Sequence, residues 1–277
     1  MSATSRRATR VVLVGWGAIG TAVARLLAQD AQGNGAARIV AIGVRDVAAT
    51  LRRDDLPQGA RVIGDPAGLA GLDADLVVEA AGRDSVGPWG RAALDAGMDF
   101  ALSSTSALAD GALLADLRAR AARTGGQLIV HPGALGGIDA LAAARHMGLA
   151  EVEHRIVKPA RAWAGTEAER LCPLDALTAP AAFFSGTASE AASRFPQNAN
   201  VALTTALAGI GPERTRVTLV ADPGATLNRH EITASGDFGQ LEVRIANNPL
   251  PGNPKTSAMT ALSLVRLIEN RAAALVI

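Results

Sequence analysis

The stretch VVLVGWGAIGTAVARLL, residues 11–27, sets three glycines between a β-branched apolar run and a run of good helix formers. A short apolar run bounded by glycine reads as a buried strand and TAVARLL as a helix, so the glycines mark a strand-to-helix turn. Gly15, Gly17 and Gly20 match the pattern G-x-G-x-x-G, with Ala18 and Ile19 between the second and third glycines. In that pattern the first glycine makes a tight turn and the second lets the backbone approach a pyrophosphate. The third lets the helix close onto the strand, with the phosphates facing the helix N-terminus. These five residues are candidate dinucleotide contacts.

Beyond this turn, RIVAIGV (38–44), ARVIG (60–64), DLVVEAAG (75–82), DFALSS (99–104) and GQLIVHPG (126–133) are short apolar runs, most of them separated by helix-like segments. Strands alternating with helices imply right-handed crossovers and a parallel sheet covered on both faces. The expectation is a doubly wound, Rossmann-type α/β domain over residues 1–133. Residues 1–9 read as a frayed terminus.

After Gly137 the pattern changes. IDALAAARHMGLA (138–150) reads as a helix, and VEHRIVK, PAAFFSG, RTRVTLVAD, TLNRHEITASG and FGQLEVRIAN read as strands without long crossovers. A second α+β domain with a mixed or antiparallel sheet is expected over 134–250. Within it FPQNANVALTTALAG turns helical near residue 199, with Asn198 as N-cap and Gly209 near the end. NNPLPGNPKTS (247–257) reads as a loop whose Asn253 and Pro254 cap and open an amphipathic helix through about Asn270. Residues 251–277 are expected to return to the first domain.

Composition narrows the class. The chain has 277 residues and a formal net charge of +1, with no long basic block, so nothing drives binding to nucleic acid or an anionic membrane. No run reaches the ~18 uninterrupted apolar residues of a membrane span. The basic leader MSATSRRATR with its apolar sequel resembles a signal peptide in outline, but glycines break the apolar part and it runs directly into a helix. One cysteine, Cys172, permits neither an internal disulfide nor a cysteine-based zinc site, which fits a reducing cytoplasm. No metal site is expected. With no tyrosine in the chain, any acid or base must be His, Lys, Asp, Glu or Cys.

In a dinucleotide fold the end of the second strand selects the cofactor: an acidic residue there bonds ribose hydroxyls, and an arginine accepts a 2′-phosphate. The strand ends Val44, Arg45, Asp46, which leaves both NAD and NADP open. The insertion AQGNGAAR (31–38) accounts for the long spacing from Gly20 to Asp46. The alternative is that Arg45 and Asp46 simply open the next helix. Ala81 and Gly82, at the carboxyl end of DLVVEAAG, stand where ligands bind in open α/β sheets, or they end the strand. The hydroxyls of SSTSA (103–107) read as helix caps in preference to ribose contacts.

Four histidines are candidates. His146 reads as a helix position and His154 as a strand position between charges, so surface or packing roles fit both. His131 stands at the carboxyl end of a strand, where ligands gather. In TLNRHEITA, alternation puts His230 on the face of Ile232 and Ala234, opposite Arg229 and Glu231; a core histidine and a catalytic one fit that pattern equally. Lys158 and Lys255, the chain's two lysines, are candidate carboxylate partners. Cys172 reads as buried and inert in preference to a nucleophile.

Read together, GWGAIG, VVEAAG, HPGALGGIDAL, KPARAWAGT, FPQNANVA, ADPGATLNRHEITASGDFG and NPKTSAMT, in this order and nearly end to end, resemble the L-aspartate dehydrogenase family. The resemblance implies NAD(P)-dependent oxidative deamination of L-aspartate to iminosuccinate, which hydrolyses to oxaloacetate and ammonia or feeds NAD biosynthesis, and the reverse amination. It implies His230 as the active-site residue, Ala134 and Asn200 as cofactor contacts, and Lys158 and Thr166 as substrate-site residues. It further implies a homodimer formed through the second domain. Two other readings stand beside it: a semialdehyde or dicarboxylate reductase on the same architecture, which would need a reactive Cys172 or activity on an aldehyde or C=C substrate, and, in a different class, a dinucleotide sensor without turnover.

Overall fold

The structure is a computed structural model that describes residues 7–29, 37–196 and 200–277. The start of the leader, most of the 31–38 insertion and the Asn198 cap lie outside the described residues. The chain divides into two compact units, Met1–His131 with Ala261–Ile277, and Pro132–Thr260.

In the first unit, strands β1 (Thr9–Val14), β2 (Ala37–Gly43), β3 (Arg61–Ile63), β4 (Leu76–Glu79), β5 (Asp99–Leu102) and β6 (Leu128–Val130) form one sheet in the order β3-β2-β1-β4-β5-β6. Every pairing in it is parallel. Helices α1 (Ala18–Gln29), α2 (Val47–Leu51), α3 (Arg83–Asp95) and α4 (Gly111–Thr124) connect the strands. Val11, Val12, Leu13 and Val14 are all buried, as a central strand covered on both faces requires. β1 starts at Thr9, inside the segment read as frayed, because Thr9 already pairs with Ala37.

The second unit holds α5 (Ile138–Ala144), β7 (Leu149–Pro159), α6 (Ala168–Leu171), β8 (Ala181–Thr187), α7 (Ala188–Arg194), α8 (Asn200–Ala208), β9 (Arg216–Asp222), β10 (Asn228–Gly236), β11 (Gly239–Asn247), β12 (Pro249–Leu250) and β13 (Asn253–Ser257). Its main sheet runs β11-β10-β7-β9-β8 and is mixed: β7 and β9 are parallel, the other neighbours antiparallel. Alternation along β7 buries Val152, His154 and Ile156 and exposes Glu151, Glu153 and Arg155. Against the buried face pack two apolar clusters. One centres on Trp163, Phe184, Phe195 and Leu219, the other on Leu141, Val152, Ile232 and Ala234.

Two further boundaries differ from the sequence reading. α5 ends at Ala144, followed by a 3-10 turn over Arg145–Met147 and the left-handed Gly148, so His146 lies in an exposed turn. The last helix, α9 (Ala258–Asn270), starts after Ser257 and not at Asn253. Asn253 instead folds β13 back on β12: its Oδ1 accepts from the Lys255 amide at 3.3 Å and its Nδ2 donates to Thr256 Oγ1 at 3.2 Å. Local amide bonds of this kind compete with helix formation. Residues 251–260 therefore belong to the second unit, and the return to the first begins at Ala261.

Candidate active site

The glycine turn of the first unit is built for two different neighbours. Gly15 has φ +102, and a Cβ there would lie 2.7 Å from the Ala80 carbonyl oxygen; a Cβ on Gly20 would lie 2.1 Å from the Gly15 carbonyl oxygen. Both glycines are demanded by the protein's own backbone. A Cβ on Gly17 would meet nothing within 4 Å, so the space above the turn, at the N-terminus of α1, is open. Ala18 and Ile19 form the first turn of α1, whose leading amides have no partner within the helix. This arrangement fits a dinucleotide pyrophosphate.

Beside the turn, Glu79 at the end of β4 is fully buried. Its Oε1 accepts from the Ala81 and Gly82 amides at 2.8 and 2.7 Å and from the hydroxyls of Ser85 and Ser104 at 2.9 and 3.1 Å. Its Oε2 accepts from the Ser104 amide at 3.1 Å. One carboxylate thus fixes the loops after β4 and β5. Glu79 was not among the candidate residues, although an acid closing a run of buried apolar residues needs such partners. The same bonds take two of the SSTSA hydroxyls away from capping: Ser104 turns to Glu79, and Ser103 Oγ meets His131 Nε2 at 3.1 Å. His131 is buried between Ser103 and Ser263, whose Oγ lies 2.7 Å from Nδ1, and burial pushes the ring down to about 4. Arg45 and Asp46 are exposed at the end of β2, and Asp46 caps α2 by accepting from the Ala49 amide at 2.8 Å.

In the second unit, register places six side chains on one face of the sheet. His230 pairs with Ile156 and Ile232 with His154, so alternation puts Asn228, His230, Ile232, His154, Ile156 and Lys158 on the same side. His230 is 1% exposed. Its Nδ1 lies 3.3 Å from His154 Nε2, and His154 Nδ1 lies 2.9 Å from Thr205 Oγ1, brought in by the deeply buried helix α8. Asn228 donates from Nδ2 to Ser257 Oγ at 3.2 Å, while its buried Oδ1 has no hydrogen-bond partner among the described residues.

Electrostatics follow from burial. Desolvation lowers His154 to about 3. Desolvation, then His154, then Lys158 hold His230 well below its ordinary value. His230 is therefore a neutral ring at neutral pH, not a group titrating near 6.5. Lys158 is 5% exposed and is lowered to about 8 by burial and by Lys255. Its Nζ stands 5.7 Å from the Trp163 ring centroid and 3.4 Å from the Lys255 carbonyl oxygen. Lys255 Nζ in turn lies 3.4 Å from the Ala164 carbonyl oxygen. The two lysines thus converge, Lys255 from β13 and not from a helix start.

Thr166 Oγ1 donates to the Trp163 carbonyl at 2.6 Å and accepts from the Ala168 amide at 3.2 Å, so its hydroxyl holds the turn beside Trp163. The Ala134 carbonyl accepts from Asn247 Nδ2 at 2.9 Å, and Asn200 opens α8. Cys172 is half-buried, not buried as expected; it packs against the aromatic cluster, and burial pushes its thiol up, which disfavours the thiolate that a cysteine-dependent semialdehyde reductase would need. Among the described residues, no group of three or more His, Cys, Asp or Glu side chains could hold a metal, and no helix is long and apolar enough to cross a membrane. The sequence reading missed His154, Thr205 and Asn228. The alternation that turns His230 inward does the same for His154, so of the surface and packing roles that fit it the structure shows the buried one, and its bonds to His230 and Thr205 are what the sequence does not show.

A parallel sheet in this strand order, with a glycine turn that leaves room for a pyrophosphate, and a second unit holding a buried imidazole and a buried ammonium define a nicotinamide-dependent oxidoreductase. Residues 139–271 match the family model for the C-terminal part of aspartate dehydrogenase, and residues 15–131 match that for the NAD-binding domain of homoserine dehydrogenase. The L-aspartate dehydrogenase of Brucella anthropi is 60% identical over 267 residues, covering 96% of this chain and 98% of its own. That of Cupriavidus necator is 45% identical over 265 residues, covering 95% and 97%. Among solved structures, aspartate dehydrogenase from Thermotoga maritima shares the fold with a TM-score of 0.73 at 23% identity, over 98% of this chain and all of that one. The chain belongs to the aspartate dehydrogenase family.

Proposed function

We propose that the protein oxidatively deaminates L-aspartate to iminosuccinate with NAD or NADP, and runs the reverse amination of oxaloacetate with ammonia. The observation that carries this reading is the buried face of the second unit. There a neutral imidazole, an unpaired amide oxygen and a buried lysine share one side of the sheet.

The Lys158 ammonium takes one substrate carboxylate, with Lys255 available to the other. The Asn228 Oδ1 accepts a hydrogen bond from the α-ammonium. His230 takes one proton from that ammonium at Nε2, which frees the nitrogen lone pair to form the C=N bond as hydride leaves the α-carbon with its electron pair. Bound nicotinamide supplies the hydride acceptor. Water then adds to the imine carbon and releases ammonia and oxaloacetate. Substrate also tunes the base: two carboxylates entering beside Lys158 offset the cation that depresses His230 and raise its basicity.

The first unit holds the dinucleotide through Gly15, Gly17, Ala18, Ile19 and Gly20, with Arg45 and Asp46 at the adenosine ribose and Ala81 and Gly82 flanking the cofactor. In this reading Ala134 and Asn200 are further cofactor contacts, and Thr166 supports the substrate site by fixing the turn that carries Trp163. The protein works in the cytoplasm as a homodimer joined through the second unit. The exposed sheet face there carries the Glu153–Arg216 and Arg155–Glu231 pairs, and sedimentation analysis reads the stoichiometry. Replacement of His230 by Ala tests the mechanism: kcat falls by about 10²–10⁴-fold while the NADH dissociation constant, read by fluorescence, stays unchanged. Unchanged turnover would reject the assignment.

A further inference from the structure

We propose that Thr205 and His154 are positioning residues that fix His230 in the tautomer whose Nε2 carries the lone pair. The proposal rests on the aspartate dehydrogenase reading for what His230 does, but not for where its proton sits.

Thr205 has a single hydroxyl hydrogen, and its Oγ1 lies 3.1 Å from the Val201 carbonyl oxygen and 2.9 Å from His154 Nδ1. A carbonyl oxygen can only accept, so the hydroxyl satisfies both neighbours by donating to Val201 and accepting from an Nδ1–H on His154. A neutral ring carries one N–H, so His154 Nε2 is then an acceptor. The group 3.3 Å away, His230 Nδ1, is the donor to it. The single proton of His230 is thereby placed on Nδ1. Its Nε2 makes no hydrogen bond to any described residue and holds the lone pair.

The opposite polarity runs Thr205 O–H to His154 Nδ1 and His154 Nε2–H to His230 Nδ1. It satisfies two hydrogen bonds where the first satisfies three, because the Val201 bond is lost. Burial favours the arrangement with more hydrogen bonds, since inside a protein no water replaces the one that is lost. The rings are 5.4 Å apart between centroids and both lie inside the core, where desolvation keeps both of them neutral at neutral pH. The acceptor end of the relay is helix backbone, the Val201 carbonyl in α8, and the orientation is therefore built into the fold and precedes substrate.

Thr205→Val removes the acceptor for His154 Nδ1–H without changing side-chain shape. A buried N–H without a partner is rarer in proteins than an unfilled lone pair, so His154 moves its proton to Nε2 and donates to His230 Nδ1. That drives the His230 proton onto Nε2, which is not fully enclosed and can donate to water there, and blocks the base. The experiment is imidazole ¹⁵N NMR of the full-length wild type, Thr205→Val, Thr205→Ser and His154→Gln, each beside steady-state kinetics with L-aspartate.

In the wild type, His230 Nε2 is expected to be unprotonated. In Thr205→Val it is expected to gain the proton, and kcat to fall about 10–100-fold at unchanged KM and NADH affinity. Thr205→Ser, which restores the hydroxyl, recovers most of that loss. A wild-type His230 protonated at Nε2, or a Thr205→Val protein with the wild-type tautomer, overturns the proposal. If Thr205→Val does not fold, His154→Gln decides: its Oε1 can replace the lost acceptor, and a proton found on His230 Nε2 there overturns the proposal. A wild type with the expected tautomer but no aspartate turnover leaves the relay standing and overturns the function reading.

Discussion

Lys158 shows how one residue couples burial to recognition. Its ammonium is held among apolar and aromatic neighbours, and its value of about 8 makes it a cation below that pH and a neutral amine above it. Because the shift is downward, the charged form is lost as pH rises through about 8, and kcat/KM for L-aspartate is expected to fall there. Replacing Lys158 by Met should raise the aspartate KM by about 10- to 100-fold, as loss of a charge-assisted bond implies, and abolish that alkaline limb. A pH–rate series on both proteins checks this; an unchanged KM would remove Lys158 from the substrate site. At this scale the sequence was legible where alternation alone decides, as for His230 on β10. It was less legible where a partner distant in sequence decides, as with Glu79 and the Ser104 loop or His154 and Thr205.

At the scale of elements, the three glycines of the β1–α1 turn separate fold from ligand. Gly15→Ala forces a side chain against the Ala80 carbonyl at a positive φ and should destabilise the first unit by about 1–3 kcal/mol, read as a lower urea midpoint. Gly17→Val meets no protein atom at its Cβ, so stability should stay within about 1 kcal/mol of wild type while NADH binding weakens at least about tenfold. Tight NADH binding in Gly17→Val would contradict the assignment of that space to the pyrophosphate. Strands were legible because β-branched runs bounded by glycine have few alternatives, and the parallel order followed from the helices between them. The start of α9 was not. Asn253 followed by proline matches a helix opening, and only the ladder between β12 and β13 shows that the same asparagine stabilises a turn.

Over the whole molecule, buried neutral histidines set the response to acid. His131, in the first unit, sits near 4 when folded and near 6.5 when unfolded, so between these values the unfolded chain binds a proton that the folded one refuses. Stability attributable to His131 is therefore complete above about pH 6.5, falls as pH drops, and is lost by about pH 4, for a total on the order of 3 kcal/mol. His154, near 3, extends the same trend in the second unit. Urea melts from pH 7 to pH 4 should show midpoints falling through this window, with a shallower fall in His131→Gln; a flat profile would contradict neutral burial.

The reaction assigned to the second unit is that of an amine and not of a hydroxyl. It is tested by following NADH and NADPH absorbance while the purified protein meets oxaloacetate with and without ammonium. Oxidation of the nucleotide that requires both oxaloacetate and ammonium is the predicted result. Oxidation at the same rate without ammonium, or none under either condition, would contradict it.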